Sequence, residues 1–116
     1  MKNFLLKTAK LDNIKFLIVD NTNGEDKSLY TAFDKSHDVR IIKNNNRFKQ
    51  RSLSHANALD FGMEHIETKF TLIVDPDIHV FYKNWDEFCI KKMELNPQTV
   101  IGAPYPQWKL GKVHNY

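Results

Sequence analysis

Two aspartates one residue apart, Asp75-Pro76-Asp77, close the apolar run Phe70-Thr71-Leu72-Ile73-Val74. Carboxylates concentrated where water is partly excluded are costly unless a cation or a hydrogen-bond network compensates them. Oxygen ligands on this spacing suit a hard divalent ion, Mg²⁺ or Mn²⁺, that bridges to ligand phosphates. Asp-Pro-Asp is equally ordinary turn chemistry, and that account stands beside the first. A second apolar run, Ile14 to Val19, stops at Asp20-Asn21-Thr22-Asn23-Gly24. A carboxylate or amide there could accept from a base N–H or a ribose hydroxyl; the plainer account is a turn that caps the next helix. Between the two runs, Arg47, Lys49 and Arg51 lead into a predicted helix N-terminus, which favours anions. A diphosphate is the natural ligand of that arrangement, and a solvated basic loop is the plain alternative. His55 is placed to hydrogen-bond locally, and His79 is either an extra metal ligand after Asp77 or a turn histidine.

The elements that position these residues alternate between helical and extended patterns. Residues 2–11 carry Phe4, Leu5, Leu6, Ala9 and Leu11, which predicts a short amphipathic helix. The run 14–19 reads as a buried parallel strand because it is apolar at every position but Lys15 and ends at a polar turn. Leu29, Ala32 and Phe33 share a helical face within 26–35, and Val39 to Lys43 reads as the next strand, closed by Asn44-Asn45-Asn46. A helix over 52–66 is expected to present Ala56, Leu59, Met63 and Ile66 to the core, with Ser52 or Ser54 as its cap. Residues 70–74 read as a strand. Asn84 with Glu87 forms a capping signature for a helix over 85–95 that buries Trp85, Phe88, Cys89 and Met93. Thr99 to Gly102 reads as a further strand and Ala103 to Tyr116 as loop. Strands alternating with helices imply an α/β fold, a mainly parallel sheet flanked by helices on both faces. Ligands of such sheets bind outside the carboxyl ends of the strands, where both terminal aspartates lie.

Composition narrows the function classes. The 116 residues suit one domain, and 41% hydrophobic with 27% charged residues is enough for a single core. The net charge of +3 is mildly favourable for an anionic ligand and far from the clustered basic charge of a nucleic-acid binder. No apolar run approaches the roughly 20 residues needed to span a bilayer. Lys7 breaks the Phe4-Leu5-Leu6 run, so no signal peptide is read. The single cysteine, Cys89, reads as core; with no disulfide framework the expected location is cytoplasmic.

Taken together, these residues resemble family 2 glycosyltransferases of the GT-A fold. The stretch Phe16-Leu17-Ile18-Val19-Asp20-Asn21-Thr22-Asn23-Gly24-Glu25-Asp26 is similar to that family's second-strand motif. Ser54-His55-Ala56-Asn57-Ala58-Leu59-Asp60 through Phe70-Thr71-Leu72-Ile73-Val74-Asp75-Pro76-Asp77 looks like the helix and strand leading to its Asp-x-Asp motif. The order matches over roughly residues 5–103. The resemblance implies a partial GT-A (nucleotide-diphospho-sugar transferase) fold over 1–116 that binds a UDP- or GDP-type sugar donor. It implies nucleobase contact at Asp20 or Asn21, and ribose and metal contact at Asp75 and Asp77. A basic residue among Arg47 to Arg51 would hold the nucleotide. An acceptor hydroxyl, on a glycan or another molecule, would displace the nucleoside diphosphate with inversion.

Two departures accompany the resemblance. Too few residues precede Ile14 for the family's first strand, crossover and helix, and that strand normally lies between the strands at 14–19 and 70–74. Its absence would leave backbone groups unpaired in mid-sheet and edges through which the chain could self-associate. The family's general base lies well beyond Asp-x-Asp, and no later acidic residue stands in a comparable motif; Asp86, Glu87 and Glu94 fall on the helix after the metal loop. The expectation is a chain truncated at both ends, with a catalytically inactive nucleotide- or partner-binding fragment as the alternative. A haloacid dehalogenase-type phosphatase is the remote alternative: it shares the Asp-x-Asp after an apolar strand, but has Thr or Val where this chain has His79.

Overall fold

The computed structural model describes residues 2–75 and 77–102; Pro76 and the expected loop 103–116 lie outside the described residues. In order the elements are α1 (Lys2–Thr8), β1 (Phe16–Asp20), α2 (Lys27–Phe33), β2 (Val39–Lys43), α3 (Arg51–Met63) and α4 (Trp85–Leu95). The chain is a small α/β protein with one two-stranded parallel sheet among the described residues. β1 and β2 run from Phe16 opposite Val39 to Asp20 opposite Lys43. A parallel pair needs a crossover, which α2 supplies. Asp26 starts that helix, its carboxylate accepting from the Leu29 amide.

The expected helices 2–11, 26–35, 52–66 and 85–95 are all present, three of them somewhat shorter than read. Two expected strands are not formed. Among the described residues, 70–74 and 99–102 have no ladder partner, and β1 is paired on one side only. A strand pattern states a preference; without a neighbouring edge to bond, the five residues form no ladder.

α3 lies against β1, but not through the stripe its periodicity suggests. Ala56 is exposed, Met63 is 50% exposed, and Ile66 falls beyond the helix end. Gly62 is the buried residue instead; a Cβ there would stand 3.0 Å from Val19 Cγ2. Absence of a side chain lets helix and strand approach, and this rotates the contact face toward Ala58, Leu59 and Gly62. Nor do Ser52 or Ser54 cap α3: its N-cap is Gln50, with no side-chain hydrogen bond.

α4 is rotated in the same way, here by a charge. Asp86 is buried at 4% exposure, whereas Phe88 is 51% exposed and Trp85, Cys89 and Met93 are half-buried. The Asp86 carboxylate receives the Lys10 amide at 2.9 and 3.0 Å and the Leu11 amide at 2.8 Å, just past the end of α1. That bond turns the Asp86, Cys89, Ile90 and Met93 face inward and Phe88 outward. Asn84 does not act as the expected side-chain cap; it takes a left-handed φ of 58°, which asparagine tolerates, and its amide donates to Thr8 O at 2.6 Å. Glu87 pairs with Lys10 at 2.6 Å, and the Trp85 indole donates to Leu5 O at 3.4 Å. α1 is joined to the sheet side by Lys2, which pairs with Asp38 at 2.7 Å and lies 5.8 Å from the Phe16 ring centroid.

Burial pushes the Asp86 carboxyl up, but amides of Leu11, Lys10, Glu87 and Asp86 itself outweigh it, so its pKa falls below the ordinary value. A lowered carboxyl stabilises the fold above the unfolded pKa, about 3.9, and the contribution is lost as pH drops through the folded value. Asp86→Ala is therefore expected to cost about 1–3 kcal/mol at neutral pH in urea unfolding. The gap to the wild type should close on acidification, and a gap that persists at low pH would refute the assignment.

Candidate functional site

The carboxyl ends of β1 and β2 form one polar rim. Asp20, the last residue of β1, is 2% exposed. Its Oδ1 accepts from the Thr22 amide at 2.8 Å and the Thr22 hydroxyl at 2.6 Å, and its Oδ2 accepts from the Tyr30 hydroxyl at 2.5 Å. The turn that follows needs left-handed backbone at Asn23 (φ 58°) and Gly24 (φ 83°), and the Asn-Gly pair supplies it. The Thr22 hydroxyl first, then the Tyr30 hydroxyl, hold the Asp20 carboxyl below its usual value against the opposing effect of burial. The same bond raises Tyr30.

Beside Asp20 stands an amide lattice. Asn44, directly after β2 and 5% exposed, donates through Nδ2 to Asn21 Oδ1 at 2.8 Å and to Asn57 Oδ1 at 2.9 Å. Asn21 Nδ2 donates in turn to Ser54 Oγ at 2.7 Å and Ser54 O at 3.2 Å, both in the first turn of α3. Asn46 Nδ2 also donates to Ser54 Oγ, at 2.7 Å, and its amide donates to Asn23 Oδ1 at 2.9 Å. The lattice thus joins the end of β1, the end of β2 and the start of α3. Among the described residues no buried side-chain polar atom lacks a hydrogen-bond partner.

The expected site residues fall into three groups. Asp20 and Asn21 are brought to the rim, and both side chains are engaged by neighbours in the chain. Arg47 and Arg51 are exposed on the segment that runs from the lattice into α3, with Lys49 between them. No ion pair among the described residues engages these three cations. Asp75 and Asp77 are exposed, and no hydrogen bond or ion pair among the described residues links them to Asp20 or Asn21. Asp75 does not stand at a strand end as expected, because 70–74 is not laddered; its carbonyl accepts from the Ile78 amide at 3.1 Å in a turn. His79 Nδ1 lies 3.1 Å from Asp77 O, and His55 is exposed on α3. Among the described residues no group of three or more His, Cys, Asp or Glu could hold a metal ion by itself.

Tyr30, Asn44, Ser54 and Asn57 are the rim residues that sequence reasoning missed. The signal available was the run Asn44-Asn45-Asn46 immediately after a strand, which reads as loop closure until the helix beyond it is folded back. No protein family, curated protein or solved structure matches the chain.

Removing either hydroxyl should free Asp20. Thr22→Val is expected to move the Asp20 carboxyl titration upward, and Tyr30→Phe to move it by a smaller amount, as read by carbon NMR. A titration unchanged in both variants would contradict the hydrogen-bond origin of the shift. The acid limb of stability should move with it, since a lowered carboxyl loses its contribution only as pH passes its folded value.

Proposed function

We propose that this chain is the nucleotide-binding portion of a family 2-type glycosyltransferase, taking a UDP- or GDP-type sugar donor. One observation carries the reading. Asp20, Asn21 and Asn44 end two parallel strands at one rim, and Ser54 ties that rim to the helix whose approach carries Arg47, Lys49 and Arg51. Ligands of parallel sheets bind outside the carboxyl ends of the strands, and cations at a helix N-terminus suit a diphosphate.

In this reading the amide lattice positions the rim rather than reading the base directly, because the Asn21 and Asn44 amides already bond each other. Arg47 and Arg51 lie exposed and unpaired among the described residues, so they meet the diphosphate without first breaking an internal ion pair. Asp75 and Asp77 are the residues that would hold a divalent ion, Mg²⁺ or Mn²⁺. Their donor set fits such an ion in part, as two exposed carboxylate side chains without a hydrogen bond to another described residue, the rest of its shell coming from phosphate oxygens and water. When bound, the ion would offset charge on the departing nucleoside diphosphate. An acceptor hydroxyl, of a glycan or another molecule, would attack the anomeric carbon as the diphosphate leaves.

A second reading, a nucleotide- or partner-binding fragment without turnover, is favoured by one feature. Asp75 and Asp77 share no hydrogen bond or ion pair with the Asp20 rim among the described residues. Both readings concern a chain in which no helix among the described residues is long and apolar enough to cross a membrane.

Isothermal titration with UDP, with and without Mn²⁺, tests the proposal. Binding is expected to strengthen with Mn²⁺, and the Arg47→Ala/Arg51→Ala double variant to weaken it by roughly tenfold or more. Undetectable or metal-independent binding by folded protein would count against a sugar-nucleotide site. Donor hydrolysis or transfer with Mn²⁺ then separates an enzyme from a binding fragment.

A further inference from the structure

The bonding directions within β1 follow from its pairing with β2. The Phe16 amide donates to Asp38 O at 2.8 Å and the Asn44 amide to Asp20 O at 2.9 Å, so Phe16, Ile18 and Asp20 turn their backbone groups toward β2. Leu17 and Val19 therefore turn theirs to the opposite edge. No hydrogen-bond partner meets them there among the described residues. Open edges are normally blunted by charge or proline, and Phe16 to Val19 carries neither.

The segment 70–74 has the complementary need. No backbone group of Thr71, Leu72, Ile73 or Val74 is hydrogen-bonded among the described residues, and Leu72 and Ile73 are 49% and 57% exposed. This segment too is β-favouring, uncharged and free of proline. Among the described hydrophobic residues only Leu5 and Ile42 are buried, so no apolar side chain of either run is fully covered among the described residues.

We propose that two copies of this chain associate by strand exchange, the 70–74 segment of each adding to the open edge of β1 in the other. A second copy is the fitting occupant because one chain carries both halves of the unformed ladder and does not pair them with each other. A twofold axis gives each edge one partner and closes the assembly. Flanking charges select the antiparallel orientation. Lys15 precedes β1 and Asp75 follows the segment, both are exposed, and no ion pair among the described residues involves either. Antiparallel addition brings Lys15 toward Asp75 of the second copy; parallel addition would set Asp75 beside Asp20 and Lys69 beside Lys15. The association goes beyond the nucleotide reading and does not rest on it; by setting Asp75 at the Lys15 end of β1, away from Asp20, it favours the binding fragment without turnover over a metal held by Asp75 at the rim.

Sedimentation equilibrium over a wide concentration range tests it. The wild-type chain is expected at twice its 13.7 kDa mass. Leu17→Pro removes a donor from the open edge while leaving the bonds to β2 in place. Ile73→Lys and Leu72→Lys charge the segment at exposed positions. Each variant alone is expected at 13.7 kDa. An equimolar mixture of Leu17→Pro with Ile73→Lys should form a heterodimer weaker than the wild type, because one chain retains its segment and the other its edge. Should Leu17→Pro fail to fold, the two lysine variants still decide, since neither touches β1. A monomeric wild type, dimers retained by both lysine variants, or a mixture of folded variants without heterodimer would each overturn the proposal.

Discussion

The amide of Asn44 is the constraint on which the rim depends. It leaves β2 buried, and a buried primary amide must place its two N–H donors. They go to Asn21 at the end of β1 and to Asn57 on α3, so a single side chain sets the relation of both strands to the helix that covers them. A network in which every member is satisfied specifies one arrangement, whereas a half-satisfied one would cost more than apolar packing. Asp20 beside it is satisfied by its own turn and by Tyr30. The rim is therefore held in place by bonds within the chain.

A second charge organises the other half of the chain. Asp86 sits on α4 facing inward, where helical periodicity expects an apolar residue. Its two oxygens meet the backbone amides of Lys10 and Leu11, which lie just beyond the end of α1. Hydrogen bonds from backbone amides to a carboxylate are among the stronger ones available, which lets a short seven-residue helix hold its place. Lys10 then reaches Glu87, the next residue of α4, and Lys2 at the opposite end of α1 reaches Asp38 before β2. Two ionic contacts and one buried carboxylate thus tie α1 to α4 and to the start of β2.

These two polar centres leave the cations of residues 47–51 outside any ion pair among the described residues. That division gives the rim its chemical character. The groups that are fixed are neutral amides and one carboxylate, and those that remain available are guanidinium and ammonium groups facing water. Anion recognition by exposed cations beside a rigid amide frame is the property that the nucleotide reading uses.

Much of the local structure was legible in the sequence. The 3.6-residue periodicity located the four helices of the described residues, and the mostly apolar segments 14–19 and 39–43 located the two parallel strands, because those patterns follow the period of each element. The turn at Asp20 to Gly24 was equally plain, since only a few residue types accept left-handed backbone. What periodicity could not give was the rotation of α3 and α4. Gly62 and Asp86 decide those faces, one by what it lacks and the other by a bond to amides about 75 residues away. Nor could it give the fate of residues 70–74, whose pattern matches that of β1. A strand is a relation between two segments, so its letters declare a tendency and only the presence of a partner edge realises it. The sequence by itself determined the elements and their polar ends; the tertiary structure alone decided which ends meet, because hydrogen bonds across the chain answer to geometry that spacing does not contain.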